Sequence, residues 1–144
     1  MSYFDTLYRK EWRELGFYYK HDSPTKVWTF VGDVNGLSRF CEILKQYTQE
    51  PSNKGQSEHI HLGPQEYLKI ITWNVPFIGN DGIYGTFNDF IRLSDIFSKK
   101  ISVGQNFTID SDYSNANKAR IDVIVKENGF DPSSLDSSIK DMTS

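Results

Sequence analysis

A chain of 144 residues with a net charge of −3, 38% hydrophobic and 15% aromatic, has the size of one domain and enough large side chains to fill a core. No window approaches the roughly 18 consecutive apolar residues of a membrane-spanning helix. Acids and bases are interspersed with no basic block to meet a phosphate backbone, so membrane and nucleic-acid partners are not expected. The first residues lack the basic start and apolar stretch of a secretory signal, which predicts a soluble protein in the cytoplasm.

Phe4, Leu7, Tyr8, Trp12 and Leu15 recur at spacings of three and four before Gly16, predicting an amphipathic helix over residues 4–15. Residues 16–20 and 27–31 are rich in aromatic and β-branched types. Asp22, Ser23, Pro24 and Thr25 between them are turn formers, so the pair reads as a hairpin. Leu37, Phe40, Cys41, Ile43, Leu44 and Tyr47 form a second helical stripe, over 36–48, ending before the loop at 51–55. Cys41, the only cysteine, excludes an internal disulfide and sits among apolar neighbours, the setting of a buried and inert thiol.

Residues 58–62 and 66–73, joined by Gly63, Pro64 and Gln65, predict a second strand, turn and strand, and the Pro- and Gly-rich stretch 76–82 reads as irregular. A brief strand over 83–85 leads to Thr86, which can cap a helix over 87–99 carrying Phe87, Phe90, Ile91, Leu93, Ile96 and Phe97. Phe107 and Ile109 mark one more strand and Ile121, Val123 and Val125 another. The serine-rich tail 133–144 is expected to fray, which places a single domain at 1–132.

Gly32-Asp33-Val34-Asn35-Gly36-Leu37-Ser38-Arg39 aligns without a gap on Gly85-Thr86-Phe87-Asn88-Asp89-Phe90-Ile91-Arg92, and the stripes that follow stay in phase through Ile43 and Ile96. The match predicts a tandem βαββ repeat, with units 27–73 and 83–126, in one α+β fold. Its mainly antiparallel sheet would have about six or seven strands, with the two helices on one face and an N-terminal helix added. Asn35 and Asn88 are placed at the helix starts. Arg39 and Arg92, one turn in, are read as structural, lying over aromatic neighbours or pairing with an acid.

Few residues suggest chemistry. His59 and His61, two apart on a strand, point to one side and could share a metal. Glu58 alternates to the other side, and His21 or a scattered carboxylate would have to arrive by folding. There is no Gly-x-Ser-x-Gly elbow, and Gly32 to Gly36 lacks the Lys-Ser or Lys-Thr of a phosphate loop. Asp110, Asp112, Asp122, Asp131 and Asp136 read as solvated surface. No catalytic, cofactor-binding or metal residue is therefore assigned, and no cofactor is expected. Tyr18, Trp28, Tyr67, Trp73 and Tyr84 exceed what a small core needs and suit either a protein interface or a second aromatic layer.

Gly32-Asp33-x-x-Gly36-Leu37 opening a helix, the segment Glu58-His59-Ile60-His61-Leu62-Gly63-Pro64, and the closing Asn128-Gly129-Phe130-Asp131-Pro132 together resemble small immunity proteins found beside bacterial polymorphic toxins. The resemblance implies a cytoplasmic protein that binds and neutralises a cognate toxin domain. Two other readings stand beside it: a non-catalytic binding or regulatory adaptor, and a metal-dependent hydrolase using His59 and His61.

Overall fold

The computed structural model describes residues 2–64 and 68–139. Among them are α1 (Tyr3–Leu15), β1 (Tyr18–Asp22), β2 (Val27–Gly32), α2 (Val34–Gln49), β3 (His59–Leu62), β4 (Leu68–Thr72), β5 (Phe77–Ile78), β6 (Gly82–Gly85), α3 (Phe87–Ile101), β7 (Phe107–Ile109) and β8 (Arg120–Val125). The fold is α+β, but the single sheet read from the sequence is two mixed four-stranded sheets, ordered β1-β2-β8-β7 and β3-β4-β6-β5. No helix among the described residues is long and apolar enough to cross a membrane.

The local hairpins form where turn chemistry places them, β1 with β2 and β3 with β4, both antiparallel. The centre of each sheet is instead a parallel pair, β2 with β8 and β4 with β6. The repeat is therefore ββαββ: β1-β2-α2-β3-β4 and β5-β6-α3-β7-β8 have the same order and pairing senses. They exchange hairpins, so each sheet joins one half's first hairpin to the other's second. Units 27–73 and 83–126 thus do not lie side by side in one sheet. The apolar runs in β4 and β8 suit central strands, but local patterning does not name a partner many residues away.

A helix starts well where an extended residue reaches with its side chain to the amide three positions on. Asp33 and Thr86 meet that condition, accepting from the N–H of Gly36 at 2.7 Å and of Asp89 at 3.1 Å; Asp89 returns a bond to Thr86. Asn35 and Asn88 are exposed inside the first turn and cap nothing; α2 starts two residues before the expected 36, while α3 starts at Phe87 behind Thr86 as expected. Gly36 serves a close approach instead, since a Cβ there would lie 1.9 Å from the Gly16 carbonyl, where α1 ends in a left-handed turn. Arg39 Nε donates to the Leu15 carbonyl at 3.2 Å. Arg92 donates to those of Asp112 and Tyr113 at 2.8 and 3.0 Å, so both arginines act as structural clamps.

The core is one aromatic cluster. Phe40 of α2 and Phe97 of α3 lie 4.9 Å apart and both meet Phe30 of β2, so the helices share one side of the first sheet. At the other end of the helix pair Tyr47 packs on Phe90 at 5.5 Å and bonds Thr72 of β4, carrying the contact to the second sheet. The helices therefore run antiparallel, and at their midpoint Ser94 Oγ donates to the Cys41 carbonyl at 3.1 Å. Cys41 is buried, and burial pushes its thiol pKa up.

The expected fraying from Ser133 is also corrected. A 3-10 turn (Pro132–Leu135) packs on α1, Ser133 is buried, and Trp12 Nε1 donates to Asp136 at 2.8 Å. The serines that looked like tail composition close local turns on Asp131 and Asp136. Residues 140–144 lie outside the described residues.

Leu44 and Phe97 are fully buried in this cluster, so Leu44→Ala and Phe97→Ala should each destabilise by about 2–5 kcal/mol in denaturant titrations. Gly36→Ala, which drives a methyl into the Gly16 carbonyl, should destabilise by about 1–3 kcal/mol. A loss under about 0.5 kcal/mol in any of the three would contradict the packing described.

Candidate interaction face

In the second sheet alternate residues divide between two sides. Leu62, Leu68, Ile70, Ile78 and Ile83 enter the core, where Thr72 meets Tyr47 of α2. On the opposite side the register sets His59, Ile71, Tyr84 and Phe77 in one row across all four strands, with His61 and Lys69 in the next. Just past β4, Trp73 meets the edge of Tyr84 at 6.1 Å, and Phe77 stacks on Tyr84 at 4.1 Å. Trp73, Phe77 and Tyr84 are half-buried and Val75 beside them is 50% exposed. The helix pair lies on the other side, so this aromatic row faces outward.

The row is held in place. Tyr84 Oη donates to both oxygens of Asp81 at 2.8 and 3.0 Å, and Lys69 stands 4.0 Å from the same carboxylate. Partial burial, then the hydrogen bond and charge of Asp81, push the Tyr84 phenol up to about 12, so it remains a donor at neutral pH. The corresponding side of the first sheet is different. There the equivalent row is Tyr18, Val31 and Ile124, with Val31 at the repeat position of Tyr84, and the row beside it aligns Lys20, Thr29, Asp122 and Thr108, with Asp122 bonded to Thr108 and Arg120 at 3.0 Å each.

His59 and His61 do come together, exposed, with ring centroids 5.0 Å apart and His59 Nδ1 3.1 Å from the Ser57 carbonyl. No group of three metal-capable side chains occurs among the described residues. His21 lies elsewhere, against Trp28 at 4.6 Å, its pKa lowered by burial.

The other two segments behind the family resemblance meet at a cleft of about 690 Å³ between the end of α1, the start of α2 and residues 129–132. Their polar groups are engaged in building it: Asp33 accepts from the N–H of Gly36 and Gly129, and Asp131 from Arg13 and Ser133. The Arg13 guanidinium holds the Asp131 carboxyl down at about 2. The remaining acids also have donors. Asp110 accepts from Ser111, Asp136 from Trp12 and Ser138, and Asp112 pairs with Lys100 at 2.7 Å. Burial acts to raise the Asp112 pKa, but Lys100 and the backbone amides, that of Asp110 among them, together outweigh it and the value falls.

The aromatics singled out from the sequence therefore divide. Trp28 is fully buried, donating to the Gly79 carbonyl at 2.8 Å, and Tyr18 packs on Trp12 at 4.9 Å; these two belong to an inner layer. Trp73 and Tyr84 belong to the outward row, and Tyr67 lies outside the described residues. Phe77 falls in the stretch 76–82 that reads as irregular, because a two-residue strand gives no periodicity, and Val75 falls in no expected element; the apolar pair Phe77-Ile78 between Pro76 and Gly79 is the available signal. Comparison of the chain with protein-family models, curated proteins and solved structures finds no match.

Asp131→Asn should lower stability at pH 7 by about 0.5–1 kcal/mol, a modest loss because the Arg13 pair is partly exposed. The folded-state pKa lies below the ordinary 3.8, so the wild-type advantage is present above about pH 4 and is lost as pH falls toward 2. Denaturant titrations of both proteins between pH 7 and about pH 2.5 check this, and a constant difference across that range would contradict it.

Proposed function

We propose that this chain is an immunity-type binding protein that captures a cognate bacterial toxin domain on the outward side of its second sheet. The observation that carries the reading is the row of Trp73, Tyr84 and Phe77, bordered by Val75 and by His59 and His61. Tryptophan and tyrosine supply most of the binding energy at protein interfaces, and rings already fixed by stacking and by Asp81 lose little freedom on association. His59 and His61 also belong to one of the segments that resemble immunity proteins. The other two segments build the α1–α2 junction, a scaffold role that suits a shared fold. In this reading the protein works in the cytoplasm without catalysis, by covering the toxin's active site or blocking its assembly.

An adaptor with a different partner could use the same face, and only the identity of the partner separates the two. Co-expression should protect cells against the toxin encoded beside this gene and not against unrelated toxins, with the pair purifying as a complex. Trp73→Ala and Tyr84→Ala should each weaken that complex by about tenfold or more, while Thr29→Ala on the first sheet's polar side leaves it unchanged. No protection and no complex would reject the immunity reading. Stoichiometric zinc or manganese that survives dialysis and disappears in the His59→Ala, His61→Ala double variant would favour the metal-dependent hydrolase instead.

A further inference from the structure

We infer that the depression on the polar, outward side of the first sheet binds the phosphate group of a soluble phosphomonoester. Its volume is about 590 Å³, within the usual range for a small-molecule pocket, and it runs across β1, β2, β8 and β7. Strand register places its polar groups. Lys20, Thr29, Asp122 and Thr108 align in one row, and Arg120 stands two residues before Asp122 on the same side of β8. Lys20 and Arg120 are thus two strands and one row apart, about 12 Å between backbone positions, a gap that two long side chains can close on one tetrahedral anion.

Donors remain unused here. Lys20 is exposed and makes no ion pair among the described residues. The acid whose pKa it helps to lower, Asp22, is held down chiefly by hydrogen bonds from Thr25 and least by Lys20. Arg120 spends its Nε on Asp122 at 3.0 Å, which leaves both terminal amino groups of the guanidinium unengaged. Asn106 Oδ1 accepts from the Val125 N–H at 2.8 Å, so its amide is turned to offer Nδ2 as a donor. The Thr29 hydroxyl has no hydrogen bond among the described residues. Against these groups the depression holds one acid, Asp122, whose Oδ1 already takes both Arg120 and Thr108. Two cations against one carboxylate give a local excess of positive charge in a chain whose net charge is −3.

The surroundings favour the same sign. Lys26 precedes β2 and Lys118 stands just before β8, both with φ 59°, and the Arg120 N–H donates to the Lys26 carbonyl at 3.2 Å. Left-handed backbone costs lysine more than glycine, and here it sets two further cations at the end of the sheet that carries Arg120. An ammonium, a guanidinium fork and neutral N–H and O–H donors arriving from different strands suit a tetrahedral group with several charged oxygens better than a planar carboxylate. None of the exposed large apolar side chains lines the depression, so it has nothing to insert into a bilayer, which favours a soluble molecule over a lipid headgroup.

The test is a heteronuclear NMR titration of the free, full-length protein with glycerol 3-phosphate, following the backbone amides of Thr29, Arg120 and Asp122. Saturable shifts with affinity on the order of millimolar are expected, with propionate at least about fivefold weaker and glycerol giving none. Lys20→Ala and Arg120→Gln should each weaken glycerol 3-phosphate by about fivefold, and Asn106→Ala by about twofold. Lys54→Ala, which removes an exposed lysine outside the depression, should change the affinity by less than about 1.5-fold. Lys20 is exposed, so its variant decides the matter if Arg120→Gln disturbs β8. The site would be overturned by an absence of saturable shifts, by propionate binding as tightly as glycerol 3-phosphate, or by Lys54→Ala costing as much as Lys20→Ala. Shifts with phosphatidate vesicles and none with glycerol 3-phosphate would overturn it too. Because no toxin is present and the aromatic row lies on the other sheet, failure here leaves the proposed function untouched.

Discussion

The two parallel strand pairs, β2 with β8 and β4 with β6, are the constraint on which the other features depend. Each joins strands from opposite halves of the chain, so neither half can complete a sheet alone. The connection from β2 to β8 runs through both core helices, whereas β4 reaches β6 within residues 73–81 by way of β5. Once the pairs form, α2 and α3 must lie antiparallel across both sheets, with Phe40 against Phe97 at one end and Tyr47 against Phe90 at the other. Ser94 bonding Cys41 at the midpoint then marks a local pseudo-two-fold relation, because these residues occupy equivalent repeat positions.

That relation also makes the differences between the halves informative. Val31 and Tyr84 precede equivalent glycines and stand in equivalent rows, Val31 between Tyr18 and Ile124 and Tyr84 between Phe77 and Ile71, yet only at Tyr84 does a tyrosine stack on a phenylalanine and meet a tryptophan. Packing does not account for the difference, since both sheets already bury their inner sides in the same cluster. An outward aromatic row on one of two otherwise equivalent sheets suits an interface placed on a duplicated scaffold. The junction of α1 and α2 is scaffold of another kind, in which Gly16 and Gly36 bring two backbones together and Asp33 fastens residue 129 to the start of α2.

Much of this fold was legible because its signals are local. The stripes Leu37–Phe40–Leu44 and Phe90–Leu93–Phe97 have helical spacing, and the turn residues at 22–25 specify a hairpin wherever its partner strands lie. The exchange of hairpins was not legible, since it depends on pairings such as Phe30 with Val123 that no short window contains. Ser133 and Asp136 were misread because a segment that packs by hydrogen bonds to α1 has the composition of a loose tail. Of the outward row, Trp73 and Tyr84 were singled out by type alone. Phe77 needed the second sheet's register before it could be placed.

Native-state hydrogen exchange across the two central pairs tests the interlocked architecture most directly. Because each pair ties both halves together, the slowest amides of β2, β8, β4 and β6 should exchange through one opening. They should share a free energy and denaturant dependence with the slowest amides of α2 and α3. If β4 and β6 instead opened at lower free energy and with a smaller denaturant dependence while β2 and β8 stayed protected, the sheets would be separable units and the account of an exchanged, mutually dependent fold would be wrong.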